Sequence, residues 1–231
     1  MSARRKIVLS WSGGKDSALA LHALRQAGTW EVVALLTTVA EPYGRISHHG
    51  VRAELLRAQA EALGEALHVI SLPDPCSNVL YEEAMGRAMR AYREAGVEAV
   101  AFGDIFLQDL RDYRERNLAP VGLGAEFPLW GQPTGPLLQR FLALGFRGVL
   151  ACVDGAKLTR DFAGRAIDTA LLADLPRGVD PCGENGEYHS FVWDGPIFKR
   201  PVPVRVGEIV QRDTRFFADL LPAAGPGASD A

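Results

Sequence analysis

The sequence predicts an α/β fold built on a doubly wound parallel sheet, with a small C-terminal subdomain. Short apolar runs alternate with helical patterns through residues 1–153 of this 231-residue chain. Near-continuous apolar strands separated by helices are typical of a parallel sheet that helices cover on both faces. From about residue 154 the alternation stops, and strand-like segments follow a polar loop. We therefore expect a first domain over 1–153, a subdomain over 154–221 and a disordered tail over 222–231.

Each predicted strand is an apolar run that ends at a turn signal or leads into a helical pattern. Glycines such as Gly64 and Gly96 mark the ends of helices. The strands of the first domain are predicted at 7–10, 31–39, 67–72, 97–102, 127–130 and 146–153. The helices between them are predicted at 16–24, 51–63, 79–95, 108–122 and 133–144. The subdomain is expected to hold a helix at 168–175 and strands at 190–193 and 202–206.

A glycine-rich turn follows the first strand and leads directly into the first helix. Residues 12–17 are Ser-Gly-Gly-Lys-Asp-Ser, which does not fit the Walker pattern G-x-x-x-x-G-K-[ST]. A strand, a glycine turn and a helix start together present backbone N–H groups that bind phosphate. Lys15 adds positive charge, and the hydroxyls of Ser12 and Ser17 add donors. Because an acid is unusual in an anion site, Asp16 indicates Mg²⁺ beside the phosphates.

Other polar residues follow strands two and four, where a doubly wound sheet places its ligands. Asp104 comes directly after strand four and is a candidate for ligand binding or for capping the next helix. On that helix, Arg111 suits a substrate carboxylate or an ion pair with Glu115 four residues later. His49 and Arg52 lie after strand two, in a segment that either contacts ligand or is a surface loop.

The loop over residues 183–189 has the strongest concentration of ionisable groups outside the first turn. Glu184 and Glu187 are three residues apart, and Asn185 and His189 lie between and beyond them. Such a set suits acid–base chemistry, Mg²⁺ ligation or the binding of an amine. The alternative is a solvated turn that carries no ligand.

Composition excludes several classes of protein. Hydrophobic residues make up 48% of the chain and charged residues 23%, which is typical of globular proteins. The formal net charge of −3 and the lack of a basic block argue against nucleic-acid binding, and no apolar stretch is long enough to span a membrane. Cys76, Cys152 and Cys182 lie far apart, which suits a reducing compartment and argues against zinc. We expect a soluble cytoplasmic protein.

Three motifs together resemble the diphthine–ammonia ligase family. They are Ser-Gly-Gly-Lys-Asp-Ser near the start, Gly-Asp-Ile at 103–105 and Gly-Glu-Asn-Gly-Glu-Tyr-His at 183–189. That family is a branch of the adenine nucleotide alpha-hydrolase superfamily and shares its SGGxDS loop with N-type ATP pyrophosphatases. The resemblance covers residues 6–200. It implies a Rossmann-like five-stranded parallel core, ATP as cosubstrate with Mg²⁺, adenylation of a carboxylate with release of pyrophosphate, and amide formation with ammonia or an amine.

The resemblance also implies roles for individual residues. Those expected to hold ATP are Ser10, Ser12, Gly13, Gly14, Lys15, Asp16, Ser17, Thr37, Val39, Phe102 and Gly103, with Asp16 on the metal. Those expected to hold the substrate are His49, Arg52, Asp104, Arg111, Glu184, Asn185, Glu187 and His189. Those expected to act in catalysis are Lys15, Asp16, Asp104, Glu184 and Glu187.

One departure from the family pattern concerns the acceptor. The eukaryotic and archaeal enzymes resemble Glu-Gly-Gly-Glu-Tyr/Phe-Glu-Thr, whereas this chain has His189 in place of the last acid of that pattern. With the Ser-His-His-Gly-Val-Arg segment at 47–52, it looks like a bacterial branch in which diphthine is replaced by another acid, such as a cobalamin-related one. A sensor that binds nucleotide without turnover and a PP-loop tRNA-thiolation enzyme are the rival interpretations. The resemblance is compatible with a homodimer.

Overall fold

The computed structural model describes residues 4–46 and 50–223. Its strands are β1 (Arg5–Ser10), β2 (Trp30–Ala40), β3 (Arg45–Ile46), β4 (Leu67–Leu72), β5 (Ala99–Ala101), β6 (Gly124–Glu126), β7 (Arg147–Asp154), β8 (Tyr188–Asp194), β9 (Val204–Arg212) and β10 (Arg215–Pro222). Its helices are α1 (Lys15–Ala27), α2 (Ala53–Leu63), α3 (Asn78–Glu94), α4 (Gln108–Leu118), α5 (Thr134–Ala143) and α6 (Thr169–Asp174). No helix among these residues is long and apolar enough to cross a membrane.

A five-stranded parallel sheet forms the core of the first half of the chain. Its strand order is β4-β2-β1-β5-β6, and the short β3 pairs antiparallel with the end of β2. The chain winds outward from β1 through β2 to one edge and then from β5 to the other. The switch point therefore lies between β1 and β5, where such sheets bind ligands beyond the carboxyl ends of the strands. The predicted parallel core is confirmed.

Helices cover both faces of this sheet. Ile7 and Leu9 of β1 share one buried cluster with Leu56 of α2, and Val8 lies in a second cluster with Met89 of α3. Because successive side chains of a strand point to opposite faces, these two clusters are the two covered sides. The doubly wound arrangement follows, as the alternation of apolar strands and helices predicts.

A second, antiparallel sheet has the order β8-β7-β10-β9. The prediction that 146–153 continues the parallel sheet is therefore wrong, because β7 pairs with β8 and β10. Residues 148–153 are buried throughout, and Leu150 belongs to the same cluster as Leu19 of α1. A continuous apolar run reports burial on both faces of a strand and carries no information about the direction of its neighbours.

Three boundaries also differ from the predictions. Residues 127–130 are not a strand; the segment before them, β6, pairs with β5 although it contains glycine, alanine and glutamate. The long hairpin of β9 and β10 replaces a short strand at 202–206, and Asp213 in its turn has φ of 51°. Pro222 ends β10 and is not part of a tail; residues 224–231 lie outside the described part.

These pairings suggest a different division of the chain. We propose a boundary within residues 127–133, in place of one after residue 153, because β7 belongs with the later strands. Below, the first unit is residues 4–126 with the parallel sheet, and the second unit is residues 134–223 with the antiparallel sheet. The two units share one continuous buried cluster.

Asp219 ties the second sheet to the segment that leads into α2. Its carboxylate accepts hydrogen bonds from Arg45 at 2.9 Å and from Arg52 at 2.8 and 3.0 Å. The hydrogen bonds from Arg52, aided by Arg45, lower the pKa of Asp219 to about 2. We expect Asp219→Asn to lower the free energy of unfolding at neutral pH by about 1 kcal/mol, because solvent screens this partly exposed ion pair.

The sign of the pH dependence follows from that lowered pKa. The contribution of Asp219 is present above the ordinary pKa of an unfolded Asp, about 4, and is lost as pH falls toward 2. Urea denaturation of wild type and variant should therefore converge in acid. Glu54→Gln is the control, because Glu54 lies 3.8 Å from Arg52 at an exposed position. An equal loss in the control variant would contradict the assignment.

Candidate active site

The glycine-rich turn between β1 and α1 has a backbone that only glycine fits at one position. Gly13 has φ of +76°, and a Cβ there would lie 2.8 Å from Gln59 Oε1 and 2.8 Å from Leu56 Cδ2. Gly14 immediately precedes α1, so the free N–H groups of the first helical turn point out of this turn. The local structure is thus a strand–turn–helix that can receive an anion.

A cavity of about 530 Å³ opens at the carboxyl ends of β1, β2 and β5. The segment at 183–190 and Arg215 of the second unit form another wall, and residues of α3 and α4 also line the space. The predicted residues that line it are Ser10, Ser12, Gly14, Lys15, Asp16, Ser17, Thr37, Phe102, Gly103, Asp104, Glu184 and His189. We call this space the main cavity. Its position is the one expected for the ligand of a doubly wound sheet.

Lys15 crosses from the first unit to the second. Its side chain is 3% exposed, and Nζ donates to the carbonyl of Cys182 and to Asp16 Oδ2, the latter at 2.9 Å. The ammonium also lies 4.9 Å from the centre of the Tyr188 ring, and the backbone N–H of Lys15 donates to Ser190 Oγ at 3.1 Å. The second unit therefore fixes the position of this cation.

One carboxylate oxygen of Asp16 is suited to contact a metal ion. That oxygen, Oδ1, is buried and has no hydrogen-bond partner among the described residues. Burial raises the pKa of Asp16, and the charge of Lys15 opposes that shift. An unsatisfied buried carboxylate oxygen beside a phosphate-binding turn fits a cation. No group of three His, Cys, Asp or Glu side chains suited to a metal occurs within 4–46 and 50–223, so phosphate oxygens would have to complete the shell.

Glu184 joins the second unit to the loop after β5. Its Oε1 accepts from the backbone N–H of Ile105 at 2.6 Å and from that of Phe106 at 3.4 Å. Burial raises the pKa of Glu184 to about 7, with the charges of Asp16 and Asp104 adding to the effect. A carboxyl group that titrates near neutrality can exchange protons with a reacting nitrogen.

Asp104 faces the main cavity and is neutralised in part by an arginine. Arg114 Nε lies 3.4 Å from Asp104 Oδ2, and burial raises the pKa of Asp104. Asp104 does not cap α4, because Leu107 holds the N-cap position. The capping alternative is therefore excluded, and Asp104 stays a candidate for ligand binding.

Several predicted site residues lie away from the main cavity. Val39 is buried within β2, and Arg52 pairs with Asp219. Arg111 Nε forms the predicted ion pair with Glu115 at 2.9 Å. Gly13 lies against Gln59 and Leu56 of α2 and does not line the main cavity. His49 lies outside the described residues.

Glu187 and Asn185 organise the loop that carries Glu184. Glu187 is 2% exposed, and its Oε1 accepts from the backbone N–H of Asp180 at 3.0 Å and from Asn185 Nδ2 at 3.3 Å. Neither residue lines the main cavity. Their contacts suit a role in holding the loop, so direct contact with substrate stays a prediction.

Gln59 of α2 is a site residue that sequence reasoning missed. It is fully buried, accepts from Trp11 Nε1 at 3.0 Å, and donates to the carbonyls of Gly13 at 2.9 Å and Val192 at 2.5 Å. One amide thus holds the glycine turn against α2 and β8. The available signal was a polar residue on the apolar face of the second helix, beside Leu56.

We expect Gln59→Leu to lower the free energy of unfolding by about 3 kcal/mol, because it leaves the buried Trp11 donor without its partner and removes the amide bonds to the carbonyls of Gly13 and Val192. The Gly13 carbonyl keeps its second bond, from the Val192 N–H. Chemical denaturation of the two proteins measures the loss. Gln108→Leu is the matched control, since the Gln108 side chain donates to Asp112 in an exposed turn of α4. A loss below about 1 kcal/mol, the worth of one ordinary hydrogen bond, would contradict the bracing role.

Two family models match nearly the whole chain. The model described as the diphthamide synthase N-terminal domain matches residues 5–124, and the model described as the diphthamide synthase C-terminal domain matches residues 134–221. The gap between them falls where the fold passes from the parallel sheet to the antiparallel one.

Curated relatives carry the name diphthine–ammonia ligase. The proteins of Bos taurus and Homo sapiens are each 26% identical over 234 residues, covering 90% of this chain and 86% of each relative. The Schizosaccharomyces pombe protein is 30% identical over 122 residues, which is 51% of this chain and 20% of that protein. The chain thus spans about a fifth of the S. pombe protein and most of the animal ones.

Two solved structures are similar in part. The U34-tRNA thiolase NcsA from Methanococcus maripaludis is 16% identical with a TM-score of 0.42, covering 62% of this chain and 58% of that one. A predicted subunit of tRNA methyltransferase from Methanocaldococcus jannaschii is 19% identical with a TM-score of 0.43, covering 81% and 96%. With both halves of the chain matched in order by the two family models, this chain belongs to the diphthamide synthase family.

Proposed function

We propose that this protein is an ATP-dependent ligase that joins a carboxylate to ammonia and releases AMP and pyrophosphate. The observation that carries the proposal is the phosphate-binding turn at 12–17, whose groups face a main cavity that the second unit closes. The name diphthine–ammonia ligase of the animal relatives supports the same reaction class.

The reaction has two balanced steps. A carboxylate oxygen of the acceptor attacks the α-phosphorus of ATP, the bond from that phosphorus to the bridging oxygen breaks, and pyrophosphate leaves with the electron pair. The nitrogen of ammonia then attacks the acyl carbon, and AMP leaves as the amide forms. The first step needs charge neutralisation at the phosphates more than covalent help. Lys15, the N–H groups of Asp16 and Ser17 and the Ser12 hydroxyl would supply it. The Lys15 N–H and the Ser17 hydroxyl already donate to Ser190 and to the Gly14 carbonyl.

Asp16 is the residue that would hold Mg²⁺, through the Oδ1 that lacks a partner within the described residues. When bound together with ATP, the ion would neutralise charge on the phosphate oxygens. Lys15 balances the other oxygen of Asp16, so the carboxylate stays oriented for this role.

Glu184 is the residue suited to proton transfer in the second step. Its raised pKa, about 7, leaves a substantial fraction ionised at neutral pH. In that form it takes a proton from the attacking nitrogen as the amide forms. Glu187 acts as a positioning residue, since its carboxylate holds the loop that presents Glu184.

The acceptor is proposed to differ from diphthine. His189 lines the main cavity where the eukaryotic and archaeal pattern has an acid. Exchange of an acid for an imidazole changes the charge that faces the substrate, so it favours a different carboxylate. This proposal places the chain in the bacterial branch that its 184–190 segment resembles.

Product analysis of ATP turnover tests the function. ATP and Mg²⁺ are incubated with ammonia and a panel of acids that includes diphthine, using wild type beside Asp16→Ala. AMP and pyrophosphate formed only by wild type support the ligase, and the stimulating acid identifies the acceptor class. Formation of ADP would contradict adenylation. Tight ATP binding without turnover for any acid would favour the sensor, and thiolation on addition of tRNA with a sulfur donor would favour the tRNA enzyme.

A further inference from the structure

A second cavity of about 110 Å³ opens beside the main cavity, between α3 and α4. We call it the annex. The two spaces adjoin at the ends of β1 and β5, because six residues line both of them: Ser10, Leu36, Tyr81, Met85, Phe102 and Arg114. The function proposed above assigns no role to the annex.

The lining of the annex is largely apolar. Met85 and Met89 of α3, Val100 of β5 and Leu118 of α4 form its apolar part, and the polar residues that also line it, besides Arg114, are Ser10, Tyr81, Glu82, Tyr113 and Asn117. Met89, Val100 and Leu118 are themselves buried, which makes the floor part of the core. The apolar part of this lining accepts hydrocarbon.

Arg114 stands at the junction of the two cavities. Its guanidinium carbon lies 4.8 Å from the centre of the Phe102 ring, and its side chain is 23% exposed. Its one hydrogen bond within the described residues is the 3.4 Å contact to Asp104. The remaining N–H donors of the guanidinium are therefore available to an anion, and a planar fork suits a carboxylate.

We propose that the annex binds the body of the acceptor, a carboxylic acid that carries an uncharged apolar group, while Arg114 binds its carboxylate. This inference rests on the proposed function, because it names the acceptor class for that reaction. Closed apolar cavities of about 150 Å³ hold a benzene ring. The annex is smaller, at about 110 Å³, but it adjoins the main cavity, so a branched aliphatic group would fill it and a small ring would extend from it into the main cavity.

Methionine-methyl NMR tests the proposal directly. The chain has three methionines, of which Met85 and Met89 line the annex and Met1 is the chain start. Protein labelled with ¹³C-methyl methionine is titrated with 3-phenylpropanoate in the presence of a non-hydrolysable ATP analogue. We expect saturable ring-current shifts of the Met85 and Met89 methyl signals. Acetate, which has no body to fill the annex, should produce neither shift.

Arg114→Gln separates the carboxylate contact from the apolar one. We expect the variant to bind 3-phenylpropanoate at least tenfold more weakly and to bind the neutral 3-phenylpropanamide as wild type does. Arg114→Lys is the control for charge alone. Equal weakening for the acid and the amide would contradict a carboxylate contact.

Gly86 offers a second variant that removes no charged side chain. It lies on α3 at the wall of the annex, and an added Cβ would meet only the Arg90 guanidinium, at 3.3 Å. Gly86→Leu should narrow the annex and weaken the probe at least tenfold. Gly86→Ala, which adds a single methyl group to the helix, should bind the probe within a factor of three of wild type.

Two results would overturn the inference. Ring-current shifts of Met89 on addition of the ATP analogue alone would show that the base occupies the annex. Absence of a Met89 response to millimolar 3-phenylpropanoate would exclude an apolar acid from the annex, because Met85 also lines the main cavity. Neither readout requires turnover. A shift without AMP formation would therefore retain the acid-binding annex while the ligase function failed.

Discussion

Asp16→Asn should reduce the rate of AMP formation by about 10³-fold, the scale on which loss of one preorganised electrostatic group acts. The amide still accepts a hydrogen bond from Lys15, so the turn keeps its shape, but the charge that would hold Mg²⁺ is lost. The expected signature is a rate that excess Mg²⁺ does not restore. Steady-state assays over a range of Mg²⁺ concentrations measure it.

Asp174→Asn is the matched control for that substitution. It is the same chemical change at an exposed carboxylate, which pairs with Arg165 far from the main cavity. The control should turn over ATP as wild type does. An Asp16→Asn enzyme with wild-type rate and wild-type Mg²⁺ dependence would remove Asp16 from the metal site.

Glu184→Gln should lower kcat by about 10²–10⁴-fold, the usual contribution of a general acid–base group. In wild type, activity should rise with pH through about 7 as Glu184 ionises. The variant should lack that ascending limb. Because the Gln oxygen still accepts from the backbone of Ile105, the loop after β5 keeps its anchor. The pH–rate profile of kcat distinguishes this loss of a proton acceptor from simple misplacement.

The raised pKa of Glu184 also makes the free energy of unfolding depend on pH, in a direction that can be stated. The pKa of Glu184 rises from 4.5 to about 7 on folding, so its contribution is fully present below pH 4.5. That contribution is lost as pH rises through about 7. Glu184→Gln should remove this part of the pH slope of the unfolding free energy. Glu98→Gln, at an exposed ion pair with Arg5, should leave the slope unchanged.

The parallel core could be predicted because its signals are local. β1, β2 and β4 are apolar runs of ordinary length, and each is followed by a clear helix. β6 could not be found in this way, since only pairing with β5 makes Gly124–Glu126 a strand. The sheet that receives β7 is likewise decided by partners far along the chain, at β8 and β10.

The candidate site likewise contains residues that local sequence predicts and residues that only long-range contacts place there. The turn at 12–17 and Glu184 belong to contiguous motifs, and the structure brings them to one cavity. Gln59 bonds to Gly13, more than forty residues away in sequence. Arg114 lines both cavities. Local sequence patterns do not reveal such long-range positions. Arg111 and Arg114 show the difference clearly. Three residues apart on α4, one pairs with Glu115 and the other faces the main cavity.

The bond from Lys15 to the carbonyl of Cys182 has a consequence for modularity. The phosphate-binding turn is completed by the second unit, which also donates from Val192 to the carbonyl of Gly13 at 2.9 Å and receives the Lys15 amide on Ser190. A fragment that ends before α5 would keep the whole motif in its sequence and lose the groups that orient it. The first unit alone therefore lacks the contacts that shape its nucleotide-binding turn. Transplanting or splitting this chain would separate the motif from its geometry.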